Sequence, residues 1–100
     1  VIKYHTFRGR KYRIEITEDL PPDLLGDCDN PKKKRGIPVI RIQKNQNLEQ
    51  FLATGIHEAL HAMAWDLSER AVLEIETDMV RFVLRLLRYY TQKDPGDFDG

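Results

Sequence analysis

The chain has a single cysteine, Cys28, in 100 residues, so no disulfide can form within it. Small secreted domains commonly rely on a disulfide framework, and its absence points to an intracellular, cytoplasmic protein. No apolar run approaches the ~20 residues that a membrane span requires, so no membrane association is expected. Neither sign of charge is in excess: 16 Lys and Arg balance 16 Asp and Glu. Nucleic-acid-binding domains carry a clear basic surplus, and no nucleic-acid partner is expected here. The one concentrated basic run, Lys32-Lys33-Lys34-Arg35, lies between Pro31 and Gly36 and reads as a solvated loop. No signal peptide is expected, and Val1 in place of an initiating Met reads as a trimmed start. Histidine is also scarce, with three in the chain, which makes the placement of two of them informative.

With 41% hydrophobic and 32% charged residues, the composition is that of an ordinary globular domain with one modest core. A single domain is expected over residues 1–90, with 91–100, rich in Pro, Gly and Asp, as a tail. Ile2, Tyr4 and Thr6 alternate with polar residues, and so do Tyr12, Ile14 and Ile16. With Arg8-Gly9-Arg10 between them, these read as a hairpin of two half-buried strands. Glu18 to Gly36 reads as a long loop with a short helical turn near Leu24, and such loops are frequently functional. Ile37 to Ile42 follows as a third strand, and Pro38 suits a strand start or a sheet edge.

Two long helices follow. Asn47 with Gln50 three residues on forms a capping pattern, opening a helix from Leu48 to Trp65. At 100° per residue, Leu48, Leu52, Ala59 and Met63 form its apolar stripe, with Gln50, Thr54, His57 and His61 opposite. Ser68 caps a second helix, from Glu69 to Tyr90. Its apolar stripe is Val72, Ile75, Met79, Val83 and Leu86, widened by Leu73, Val80 and Leu87. Glu74, Asp78, Arg81, Arg85 and Arg88 share a face on which opposite charges lie three and four residues apart, as on a solvent surface. The fold class is therefore α+β: a small three-stranded sheet, hairpin plus edge strand, packed on two long helices.

The first helix carries His57-Glu58-Ala59-Leu60-His61, an H-E-x-x-H sequence. One helical turn separates the histidines, so both imidazoles project from one face and can hold one Zn²⁺. Glu58, between them, can take a proton from water without ligating the metal. Metal-assisted hydrolysis needs that division of labour, a Lewis acid and a carboxylate base. A core histidine would sit in the apolar stripe, and these two do not.

Catalytic zinc normally has three protein ligands. The acidic candidates are Asp66, Glu69, Glu74, Glu76 and Asp78, since His5 is remote and Cys28 lies in a loop. Glu74 and Asp78 belong to the charged face, although Glu74 as ligand with Asp78 orienting a histidine is one arrangement. Glu69 and Glu76, seven residues apart, both fall in the apolar sector. A carboxylate directed into a core costs several kcal/mol unless paired or metal-bound. Helical phase leaves both open. Glu69 also lies in a first turn, where negative charge suits the helix dipole.

The motif and its surroundings resemble the small single-domain zincin metallopeptidases of phages and bacteria, in the style of SprT-like and ImmA/IrrE-type proteins. The resemblance rests on Gly26-Asp27-Cys28-Asp29 with Pro31, Ile40-Arg41-Ile42, Ile56 to Ala62, and Leu67-Ser68-Glu69 with Val72. It covers most of residues 10–90, and its specific part is the zinc motif. In such families the glutamate that opens the helix after the motif often serves as third ligand, which implies Glu69 here. The resemblance also implies a minimal zincin-like fold whose edge strand pairs with an extended peptide; Ile37 to Ile42 would supply that edge. Two departures stand out. Ala64 and Leu67 occupy the metzincin glycine and third-histidine positions, and no histidine follows His61 as in the SprT type.

The expected function is zinc-dependent hydrolysis of a peptide or protein substrate, with Zn²⁺ on His57, His61 and Glu69 and with Glu58 as base. Tyr4, His5, Tyr12, Tyr89 and Tyr90 are oxyanion donors by type. The alternative is a non-catalytic zinc-binding module that binds a protein partner through its sheet edge.

Overall fold

Alternation of side chains makes the first two strands, β1 (Tyr4–Phe7) and β2 (Arg10–Thr17), an antiparallel hairpin with His5 opposite Tyr12. Arg8 and Gly9 between them have φ of 48° and 81°, the two positive values that a tight two-residue hairpin turn demands. The computed structural model describes residues 3–32 and 35–92. Two further strands, β3 (Gly26–Cys28) and β4 (Val39–Gln43), complete a mixed sheet of order β1-β2-β4-β3. β4 runs parallel to β2, with Ile14 beside Ile40, and antiparallel to β3, with Asp27 beside Arg41.

The sheet thus has four strands rather than the expected three, and the edge belongs to β3 rather than to the segment Ile37–Ile42. Gly-Asp-Cys has little intrinsic strand preference, so β3 forms through its partner. Backbone bonds from Asp29 N to Val39 O and from Gln43 N to Leu25 O (2.9 and 2.8 Å) bracket it. Arg41 Nη1 adds ion pairs to Asp27 and Asp29 (3.1 and 3.3 Å). The turn near Leu24 is a single bend closed by Leu24 N on Pro21 O, not a helical turn.

One sheet face carries Arg13, Glu15, Asp27 and Arg41, joined by ion pairs. The other carries the core: Tyr12, Ile40 and Ile42 are buried, with Phe7, Ile14 and Cys28 packed around them. Helix α1 (Leu48–Met63) lies on that face. Asn47 Oδ1 accepts from Gln50 N at 2.9 Å, satisfying one orphan donor of its first turn.

The phase of α1 differs from expectation. Its sheet-facing line is Phe51, Thr54, Glu58 and Ala62, whereas Leu48 of the expected apolar stripe is exposed. The reason is tertiary. Gly26 presents no side chain to α1, and a Cβ there would stand 2.7 Å from Thr54 Cγ2. The helix therefore beds down through its small and polar residues against β3.

Helix α2 (Glu69–Gln92) is capped by Ser68, whose Oγ accepts from Ala71 N at 3.1 Å. It packs on α1 and on no strand among the described residues. Of its expected apolar stripe Val72 is buried, together with Val80 from the widening residues, while Ile75, Met79 and Leu86 are exposed. Thr91 and Gln92, placed in a tail by the sequence, still belong to α2. The rest of that tail, 93–100, and Lys33 and Lys34 of the basic run lie outside the described residues. Among those described, no helix is long and apolar enough to cross a membrane.

Candidate metal centre

Helix α1 ends at Met63: Ala64, with φ −148°, leaves the helix, and Arg8 Nη1 donates to Met63 O at 3.0 Å. Leu67 N donates to Ala64 O at 3.0 Å, closing a tight connection that delivers Ser68 and then Glu69 to the start of α2. That return brings the first turn of α2 beside the last turns of α1. His57 and His61 project there from α1 with their Nε2 atoms 3.2 Å apart. Glu69 meets both: Oε1 is 2.7 Å from His61 Nε2 and Oε2 is 3.5 Å from His57 Nε2.

Glu76, two turns along α2, takes the other nitrogen of His57, with Oε1 2.7 Å from Nδ1. A carboxylate at Nδ1 favours the tautomer protonated there, and Nε2 is the ring atom that faces His61 and Glu69. The two acidic residues that helical phase left open are both at the histidines, on opposite nitrogens of His57. Glu74 is turned away and bonds Arg70 at 3.2 Å on the exposed side of α2. The orienting place that Asp78 was weighed for is occupied by Glu76.

No family model, curated protein or solved structure matches this chain. The reading of the site therefore rests on its own chemistry. Atoms of His57, His61 and Glu69 lie within 4.8 Å of one another and could hold a metal ion. Two nitrogens and a carboxylate are the donor types that zinc takes. The 3.2 Å between the imidazole nitrogens suits a tetrahedral ion with bonds of about 2.0–2.1 Å, whose neighbouring ligand atoms stand ~3.3 Å apart. Glu69 is exposed, so its carboxylate has room to adjust.

Glu58 is 6% exposed, wedged between α1 and β3. Burial pushes its carboxyl up to about 7; His57 opposes the rise, while Asp27, Glu69 and Glu76 add to it. Cys28, on the same sheet face, is pushed up to about 12, first by burial and then by Glu58, so its thiol stays protonated at neutral pH.

Two recesses flank this carboxyl. One, of about 470 Å³, is lined by Asp27, Cys28, His61, Trp65, Leu67 and Glu69. The other, of about 320 Å³, is lined by Leu25, Ala53, Leu73 and Glu76. Gly26, His57 and Glu58 line both, so they form one cleft along β3. The bonds at Leu25/Gln43 and Asp29/Val39 set the parity of the β3–β4 ladder. Gly26 and Cys28 therefore turn their amide and carbonyl groups away from β4, toward the open edge.

The sequence marks neither Trp65, read as the end of the first helix, nor Leu67, at the metzincin third-histidine position, as a cleft wall, because the interhelical connection carries no pattern for one. The side chains considered as oxyanion donors are elsewhere. Tyr12 is fully buried in the core, and burial pushes its hydroxyl up to about 12. Tyr4 and His5 belong to β1, at the opposite edge of the sheet, and Tyr89 and Tyr90 to the far end of α2. None of them lines the cleft.

Proposed function

We propose that this chain is a zinc-dependent peptidase, with His57, His61 and Glu69 holding the metal and Glu58 acting as general base. The observation that carries the reading is the shared cleft: a buried carboxyl lines the same recess as an N, N, O donor cluster. Zinc bound there would supply a Lewis acid that acidifies water and polarises a carbonyl.

The chain's own residues would do the rest. Glu58 accepts the proton of the attacking water and later delivers it to the leaving amine. Glu76 holds His57 in the tautomer and orientation that its ligand role needs. The free edge of β3 can pair with an extended peptide, whose side chains would then fall on either side of Glu58 into the two recesses. The amides of Gly26 and Cys28, turned to that edge, are backbone donors available to the substrate carbonyl.

Elemental analysis of protein purified without chelators is expected to find about one zinc per chain. Glu58→Gln is expected to keep that zinc and to lose at least ~10²-fold of peptide hydrolysis, the low end for a positioned base. Wild-type activity in Glu58→Gln would overturn the catalytic assignment. Failure to bind added zinc would overturn the metal assignment.

A further inference from the structure

Helix α2 is longer than its support. At 1.5 Å per residue its 24 residues run ~36 Å, against ~24 Å for the 16 of α1, its one packing partner among the described elements. Along it Ile75, Met79, Phe82 and Leu86 recur at alternating four- and three-residue steps, the spacing of a coiled-coil seam. All four are exposed, between 37% and 57%. They present on the order of 400 Å² of apolar surface, taking ~200 Å² for each large side chain.

The charges beside the seam select the occupant. Asp78 and Arg85 lie on the same flank, one heptad apart and on either side of Phe82. When two identical helices pair antiparallel, this flank faces itself. A two-fold axis between Met79 and Phe82 then sets Met79 against Phe82, Ile75 against Leu86, and Asp78 against Arg85 of the second copy, twice by symmetry. Farther out, Glu74 falls toward Arg88 of the copy. A parallel pairing would set Asp78 against Val83 and make no such pair. At 100° per residue, Glu76 and Leu73, which line the cleft, lie about 100° and ~160° around α2 from Ile75, so a copy on the seam approaches α2 from another side than the cleft.

We infer that the chain forms an antiparallel two-fold dimer through the α2 seam centred between Met79 and Phe82, with Asp78 of each copy paired to Arg85 of the other.

Sedimentation equilibrium of the full chain tests this from low micromolar to near-millimolar concentration. Wild type is expected to be dimeric. Phe82→Glu, an exposed change that circular dichroism is expected to show folded, shifts the midpoint at least tenfold toward monomer. Asp78→Arg and Arg85→Asp each weaken self-association alone. Mixing the two variants restores dimers, because each cross pair is then oppositely charged. Monomeric wild type throughout, a dimer indifferent to Phe82→Glu, or a mixture no more dimeric than its components would each overturn the inference.

Discussion

Glu58→Gln in metal-stripped protein has a consequence for stability that can be worked from the surroundings of the carboxyl. It sits between α1 and β3, and burial first, with Asp27, Glu69 and Glu76 adding and His57 opposing, raises it from 4.5 to about 7. The folded state therefore binds this proton more tightly than the unfolded chain does. Its contribution is fully present below pH ~4.5 and is lost as pH rises through about 7, where folding must bury an ionised group. At 1.36 kcal/mol per tenfold change in proton affinity, the loss amounts to about 3 kcal/mol above pH ~8. Glutamine keeps the shape and does not titrate. Urea unfolding in the presence of a chelator is the assay, with both proteins measured at pH 4.5 and pH 8.5. The stability of Glu58→Gln relative to wild type is expected to rise by about 3 kcal/mol between the two pH values, while titrating groups remote from Glu58 cancel in the difference. A difference that stays constant with pH would refute the argument, since it would mean that Glu58 is solvated or neutralised in the fold.

The two acidic residues at the histidines are separable by zinc titration: Glu69→Ala is expected to lose a ligand and most of the affinity, whereas Glu76→Ala, which releases His57 Nδ1, weakens it about 10–100-fold. Zinc lost with Glu76 and retained without Glu69 would reverse their roles. Gly26→Ala places a Cβ 2.7 Å from Thr54 Cγ2 and 2.9 Å from Arg41 O. It is expected to cost ~1–3 kcal/mol in urea unfolding, and an unchanged midpoint would show that α1 is not seated so closely on β3. Ser68→Ala removes the acceptor for Ala71 N, and thermal unfolding is expected to show a loss of ~1 kcal/mol, most of it from the start of α2.

Much of the local structure was legible because it is written in short-range patterns. Alternation marked β1 and β2, and Asn47 and Ser68 marked the helix starts. The i, i+4 spacing alone brings His57 and His61 to one face, whatever the rest of the chain does. β3 was not legible, since three residues of weak strand preference form a strand by pairing with β4 and through the grip of Arg41 on Asp27 and Asp29. The inward face of α1 was misread for a related reason. Hydrophobicity favours Leu48 and Leu52, but contact with a glycine on β3 favours Thr54 and Glu58.

The sequence by itself determined the donor types, their order along the chain and the two glutamates that helical phase could not separate. Those are properties of one helix or one turn, and local geometry is enough to fix them. Only the tertiary structure decided that Glu69 faces the Nε2 atoms while Glu76 takes Nδ1, because that depends on where α2 crosses α1. It alone decided that β3 is the open edge and that Glu58 is buried beside it. It also left Ile75, Met79, Phe82 and Leu86 exposed among the described residues, because α2 outruns the helix it packs against.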